Sequence, residues 1–224
     1  MGKVTVQKYT IENPISMMGE EAGICWNSDV ENKDKNYKRG LQCLRDGHMR
    51  VAEYVQVYLI IEGYSARVIR ELYTHIGGAP TRLQESTRYV DCSNFNYVIP
   101  DSIKKNGTAL AAYEEFMDVV RIGYEALKEA GVSKEDAANI LPLGMETKVV
   151  LRTNLRHLIE MSEQRLCNRA YWEFRDLMKE IIEKLSWYSD EWCDLVEFND
   201  VFKPKCEKLG YCPESNGCGY VKKR

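Results

Sequence analysis

Apolar residues recur along this chain at two spacings, and the change from one to the other marks out its elements. In VAEYVQVYLII, positions 51–61, Val55, Val57, Leu59 and Ile61 share one face at period two, and β-branched types are frequent. That pattern predicts a strand, ended by Gly63. Ser65 is then a suitable N-cap for a helix over ARVIRELYTH. From Thr108 to Ala130 the period becomes helical. Leu110, Tyr113, Phe116, Met117, Val120, Ile122, Tyr124 and Leu127 form the stripe, and Gly131 closes it. Ser133 with Asp136 predicts a capped start for a short helix, KEDAANIL, broken by Pro142, and Thr147–Arg152 reads as extended. Helices are predicted over Asn154–Leu166 and over 169–187, the second with Phe174, Leu177, Met178, Ile181, Ile182 and Leu185 as its apolar stripe. Nearer the start, a helix over 37–45 stops at Gly47, after a polar surface loop over Asn27–Lys38. The fold class expected is α+β: one mixed helix/sheet domain, helix-rich. The segments 51–61 and 147–152 should share a sheet, with the 108–130 helix packed nearby.

Composition narrows the function. In 224 residues, 44% are hydrophobic and 29% charged, enough for a packed core and against a disordered chain. No apolar run approaches the ~18–20 residues of a membrane span. The opening MGKVTVQKYTIENP lacks the apolar core of a secretory signal. A net charge of −3 argues against a protein that coats nucleic acid by overall charge. A cytoplasmic globular protein is expected. Eight cysteines in such a setting read as thiols or metal ligands rather than disulfides. Cys193, Cys206, Cys212 and Cys218 crowd the end of the chain, where residues 202–224 carry six basic and two acidic side chains. Four soft ligands there could bind zinc, although the spacing is not that of paired finger cysteines. The alternatives are unligated thiols in an irregular tail, or a zinc-stapled basic tail that docks on nucleic acid.

Two stretches carry candidate chemistry. From Thr74 to Tyr89, a helix end runs through Gly77-Gly78 into closely spaced hydroxyls and arginines. If that segment is extended, Ser86 and Arg88 lie on one side of it and could cradle a phosphate, because Arg supplies forked donors. A solvated surface loop is the plainer reading. The second stretch runs from Leu141-Pro142-Leu143 through Thr147 to Asn154-Leu155-Arg156 and Arg165. Arg156 and Arg165 are about two and a half helical turns apart, so they need not face the same ligand atom. No Pro-Cys-His nucleophile setting exists. Cys167, beside Arg165 and Arg169, reads as a small buried residue, and His48, His75 and His157 are scattered.

Taken in order, these pieces resemble the flavin-dependent thymidylate synthases. The resemblance rests on Gly47-His48 with Glu53, His75, Gln84-Glu85-Ser86-Thr87-Arg88-Tyr89, the Tyr97-Val98-Ile99-Pro100 ending, Leu141-Pro142-Leu143, Thr147, Asn154-Leu155-Arg156-His157-Leu158, Arg165 and Trp172-Glu173. It covers roughly residues 15–190, so residues 1–200 would be the catalytic domain and 201–224 a basic, Cys-rich tail. It implies reductive methylation of dUMP to dTMP, with methylenetetrahydrofolate as carbon donor, NADPH as reductant and FAD as cofactor, in a homotetramer with sites between subunits. By the same resemblance, Arg165 is the catalytic, uracil-contacting residue. Glu71, Gln84, Glu85, Ser86, Thr87, Arg88 and Lys148 join it at dUMP. Tyr54, Thr74, His75, Ile76, Arg82, Gln84, Asn154, Arg156 and Glu160 would lie at FAD. Departures gather on the flavin and phosphate side. Thr74 and Ile76 replace arginines that flank the family histidine, and the loop to Ser86 is about two residues longer. Arg82 could restore one lost charge from a new direction. The departures fit a divergent subgroup, or a paralogue that alkylates another pyrimidine nucleotide.

Overall fold

The computed structural model describes residues 2–223. In chain order the elements are β1 (Lys3–Val6), α1 (Pro14–Cys25), α2 (Lys33–Arg45), β2 (Gln56–Ser65), α3 (Ala66–Leu72), β3 (Thr81–Gln84), α4 (Asp101–Lys104), α5 (Gly107–Glu129), α6 (Lys134–Ala137), β4 (Glu146–Asn154), α7 (Leu155–Arg165), α8 (Trp172–Ser186), α9 (Asp190–Cys193) and α10 (Lys205–Leu209). The fold is α+β and helix-rich, with one four-stranded sheet ordered β1-β2-β4-β3. Backbone bonds run antiparallel at each pairing: Gln7 N–H to Tyr58 O, Leu155 N–H to Val55 O with Ala66 N–H to Met145 O, and Glu85 N–H to Lys148 O. The two extended segments expected to share a sheet are therefore direct neighbours.

The period-two face holds: Val55, Val57, Leu59 and Ile61 are all 0% exposed. Its limits differ from those predicted. Residues 51–53 form a single 3₁₀ turn, and β2 continues through Gly63, at φ +69°, to Ser65. Gly63 bends the strand without ending it.

The chain divides into two compact units, one built mainly of Ile61–Thr74 and Leu83–Val149, the other of Val4–Ile60, His75–Arg82 and the chain from Val150 onward. In the first unit the Ser65 side chain caps α3 by accepting from Val68 N–H. Asn106 does the same for α5 and Ser133 for α6. α5 packs over Cys92, Phe95, Ala137 and Met145 through Met117 and Tyr124, with Tyr113, Val120 and Leu127 at the margins. Met117 and Tyr124, seven apart, fix the buried line, so Phe116 and Ile122 fall beside it and are each 70% exposed. The predicted stripe was too wide.

The second unit contains an antiparallel pair, α1 and α2, of which the sequence predicted only residues 37–45 of α2. The pair crosses at glycines: a Cβ on Gly19 would stand 1.7 Å from Asn36 O, and one on Gly40 would stand 2.0 Å from Ile15 O. Close backbone approach replaces a strong apolar stripe. α2 begins at Lys33, capped by Asn32, inside the segment read as a loop. α7 starts at its Asn154 cap, and α8 buries Phe174, Leu177, Met178, Ile181 and Leu185 completely. The end of the chain is less irregular than expected, since it contains α10 and buries Phe202 and Cys206.

Candidate functional site

In the second unit, the loop after α3 is laid on the N-terminal turn of α7. Gly77 sits where a Cβ would be 2.8 Å from His157 Nδ1. Gly78 has φ +67°, and its Cβ would be 2.6 Å from Asn154 Nδ2. Two glycines are needed there for room, and the second also for its backbone angle. Asn154 uses its side-chain oxygen to accept from His157 N–H at 2.9 Å, and so starts α7 while supporting the loop. Arg152, on the outward face of β4, donates to Ala79 O at 3.3 Å and Thr81 Oγ1 at 3.1 Å.

The loop presents a buried imidazole. His75 is 8% exposed; its Nε2 accepts from Arg165 Nε at 2.7 Å, and its carbonyl accepts from Arg82 Nη2. The Arg165 guanidinium lies 4.4 Å from the centre of the Phe174 ring. His75 packs against the same ring at 5.6 Å and against His157 at 6.1 Å. Burial, then the charge of Arg165, His157 and Arg82, pushes His75 down to about 4. The ring is neutral at pH 7, and an accepting Nε2 puts the proton on Nδ1. Burial lowers His157 as well. Nearby, Arg156 donates to Glu53 at 2.7 Å and to Glu160 at 2.9 Å, while Tyr54 and Ile76 are exposed.

In the first unit, the predicted nucleotide segment is bonded to β4 at its start and to α6 near its end. Glu85 N–H donates to Lys148 O at 2.8 Å, and Gln84 Nε2 approaches Thr147 Oγ1 at 3.4 Å. The chain then turns: Tyr89 N–H and Val90 N–H both donate to Ser86 O, and Arg88 N–H points at Ser86 Oγ. Ser86 and Arg88 are therefore not side by side on an extended strand, because a turn intervenes. Arg88 pairs with Glu135 at 3.0 Å with both side chains 62% exposed. Lys148 pairs with Glu62 at 2.6 Å, which raises the lysine and lowers the carboxylate. Thr74 Oγ1 donates to Glu71 O at 2.7 Å. A cavity of about 240 Å³ near this segment includes Glu62, Glu85, Glu146, Thr147 and Lys148.

The cysteines do not gather into the zinc set that the sequence left open. All eight are free thiols, and among the described residues no three His, Cys, Asp or Glu side chains group as a metal site. Cys193 ends α9, while Cys206, Cys212 and Cys218 line a cavity of about 740 Å³ with Arg165 and Cys167. Three of the four tail thiols thus line one cavity and Cys193 is not among its lining residues, and the zinc quartet is not assembled among the described residues. Burial raises the Cys206 thiol. Arg169–Glu214 and Lys208–Glu163 pairs hold this end of the chain to the α7–α8 region.

Residues 5–187 match the family described as Thy1, thymidylate synthase complementing protein. The chain is 35% identical over 182 residues to the flavin-dependent thymidylate synthase of Nitratidesulfovibrio vulgaris, covering 76% of this chain and 70% of that protein. This chain belongs to the Thy1 family. The enzyme of the same name from Thermococcus kodakarensis is 33% identical over 196 residues, covering 84% of this chain and 78% of the relative. The Clostridium tetani enzyme is 28% identical but aligns over 97% of this chain and 93% of its own length. The fold is similar to that of Helicobacter pylori ThyX complexed with FAD and dUMP. That comparison gives a TM-score of 0.68 at 22% identity, covering 90% of this chain and 100% of that one. On either side of the loop histidine, Thr74 and Ile76 are both exposed. Three residues had no predicted role. Arg152 could have been found from its outward register on β4, and His157 from its place one turn past the Asn154 cap. Phe174 reads from sequence only as core.

Proposed function

We propose that this chain is a flavin-dependent thymidylate synthase, converting dUMP to dTMP by reductive methylation with FAD as cofactor. On this reading 5,10-methylenetetrahydrofolate donates the carbon and NADPH is the reductant. The relatives' shared name and the FAD and dUMP in the Helicobacter pylori complex support it. The observation that carries it is the Arg165 guanidinium, held over Phe174 and bonded to a buried neutral imidazole.

Making uracil C5 nucleophilic builds negative charge on the ring's carbonyl side. A fixed guanidinium offsets that charge without a covalent enzyme nucleophile, and preorganisation lets it act at no reorganisation cost. Arg165 takes this role. Gln84, Glu85, Ser86, Thr87 and Arg88, with Glu71 and Lys148, hold the nucleotide. Arg88 is suited to it because an exposed ion pair such as that with Glu135 contributes only ~0–1 kcal/mol, whereas a charge-assisted bond to phosphate contributes ~1.5–3 kcal/mol.

The donor set of the second unit fits a flavin nucleotide. Arg156 is cationic and part-exposed, Tyr54 and Ile76 offer exposed apolar surface, and Arg82, Asn154 and Glu160 supply polar groups nearby. Thr74 and Gln84 complete the residues we assign to that side, and His75, whose Nε2 accepts from Arg165, is not counted among the flavin-holding groups. When bound, the flavin supplies the hydride that completes the methyl group.

We assign catalysis to residues 1–200 and an accessory role to 201–224, consistent with a family match that ends at residue 187. A homotetramer with sites between subunits is proposed, supported by the exposed Phe116, Val119 and Ile122 of α5. No described helix is long and apolar enough to cross a membrane, and a cytoplasmic location is proposed.

The test is anaerobic tritium release from 5-tritiated dUMP with FAD, NADPH and methylenetetrahydrofolate supplied. Release that requires both reductant and folate is expected. Absence of release from folded, flavin-loaded protein would remove dUMP methylation. Release from UMP instead would move the substrate to another pyrimidine nucleotide.

A further inference from the structure

We propose that His75 is a positioning residue that orients Arg165 by accepting its Nε–H, in a relay anchored by Arg82. The proposal rests on the reading of Arg165 as the uracil-facing arginine.

An arginine side chain has four rotatable bonds and loses ~2 kcal/mol of rotamer freedom when fixed. Here two contacts to the arginine and one to its histidine share that ordering. The Phe174 ring supports the guanidinium face at 4.4 Å, His75 Nε2 fixes its plane from the Nε edge at 2.7 Å, and Arg82 fixes the backbone that carries His75. A bond at Nε orients the plane from the stem side, so the group is directed before a ligand arrives.

The identity of the acceptor matters. A lysine or an imidazolium at position 75 would set a donor against a donor. Neutral imidazole accepts, and the groups that face it keep it neutral: Arg165 and His157 from α7, Arg82 from β3, and apolar Phe174 from α8. The glycine pair completes the arrangement, because Gly77 and Gly78 allow the loop to lie on His157 and Asn154 without a Cβ in the way. The loop, with Thr74 and Ile76 beside the histidine, thus delivers one imidazole nitrogen to one guanidinium. Arg82 arrives from β3, on the far side of the two glycines.

The experiment compares His75→Phe, which keeps the ring volume and removes the acceptor, with His75→Gln, whose carboxamide oxygen can accept. It also includes Arg165→Ala and the His75→Phe/Arg165→Ala double variant. Flavin content, kcat and the dUMP KM are read on full-length holoenzyme. H75F is expected to lose about 10- to 100-fold in kcat/KM for dUMP while retaining flavin, the range for one hydrogen bond to a charged group. H75Q should recover to within about 5-fold of the unsubstituted enzyme by restoring an acceptor. In the R165A background, H75F should change the residual rate by less than about 2-fold, since residues acting through one group are not additive. Additive losses, or flavin loss with an unchanged dUMP dependence, would overturn the proposal and make His75 a flavin ligand.

A second readout does not need turnover. In ¹⁵N-histidine-labelled protein, His75 should show the Nδ1–H tautomer and titrate near 4, and R165A should raise that midpoint. An unmoved midpoint would refute the contact. If the unsubstituted protein releases no tritium, the thymidylate reading fails, and the imidazole spectrum still decides the arginine contact by itself.

Discussion

His75 makes the acid response of this fold predictable. It sits near 4 when folded, against about 6.5 without its surroundings, with burial the first cause and Arg165 the second. As pH falls, the unfolded chain takes up this proton first. The stabilising contribution of neutral His75 is complete above about 6.5 and is lost progressively toward about 4. Thermal melts by circular dichroism should show a falling Tm across that window, and His75→Phe should flatten the part due to this residue. Arg165→Ala should cut turnover to a small residual rate with flavin still bound, checked by absorbance of the purified holoenzyme and by tritium release. Arg88→Ala should leave Tm nearly unchanged, because its pair with Glu135 is exposed, yet raise the dUMP KM about 10-fold or more. An unchanged KM would make Arg88 a surface residue. At this scale the sequence was informative about which residue types matter and much less so about their partners. Arg165 and His75 are ninety positions apart in a chain with no repeat to relate them, and the contact depends on how α7 and the loop are folded. The turn at Ser86 was missed because a Ser-Thr-Arg run has no strong turn former to announce it.

At the scale of elements, signals with a local cause were readable. The Ser65, Asn106, Ser133 and Asn154 caps each accept from a backbone N–H three residues on. Of these, the Ser65 and Ser133 caps were foreseen from sequence. Ser65→Ala should cost about 1 kcal/mol by denaturant titration, the usual worth of a lost N-cap. Gly78→Ala combines a positive φ with a Cβ 2.6 Å from Asn154 Nδ2, and about 1–3 kcal/mol of destabilisation is expected. The same titration should register it. What lacked a local cause was not readable. α1 and α2 meet at Gly19 and Gly40, and glycine in a helix lowers local propensity; α1 was not found, and of α2 only residues 37–45 were.

For the molecule as a whole, the chain passes between the two units at five points: Lys3–Val4 in β1, Ile60–Ile61 in β2, Thr74–His75 after α3, Arg82–Leu83 in β3 and Val149–Val150 in β4. No linker composition marks those in β1, β2 and β4, which a scan for Pro, Gly or Ser would miss, whereas the other two flank Gly77-Gly78-Ala79-Pro80. The assembly we propose makes its own prediction. A Phe116→Glu/Ile122→Glu variant should run as a smaller species in light scattering if α5 joins subunits, since both side chains are 70% exposed and apolar. A tetramer retained in that variant would remove α5 from the interface.

The loop laid on α7 also constrains how this chain can change over time. At Gly77 a Cβ would stand 2.8 Å from the ring nitrogen of His157, so any larger residue at 77 is blocked while that imidazole remains. Shortening position 157 first opens the space. The two sites are thus open to substitution in one order only, and a selection that randomises both should recover Gly77→Ala only in clones that already carry a smaller residue in place of His157.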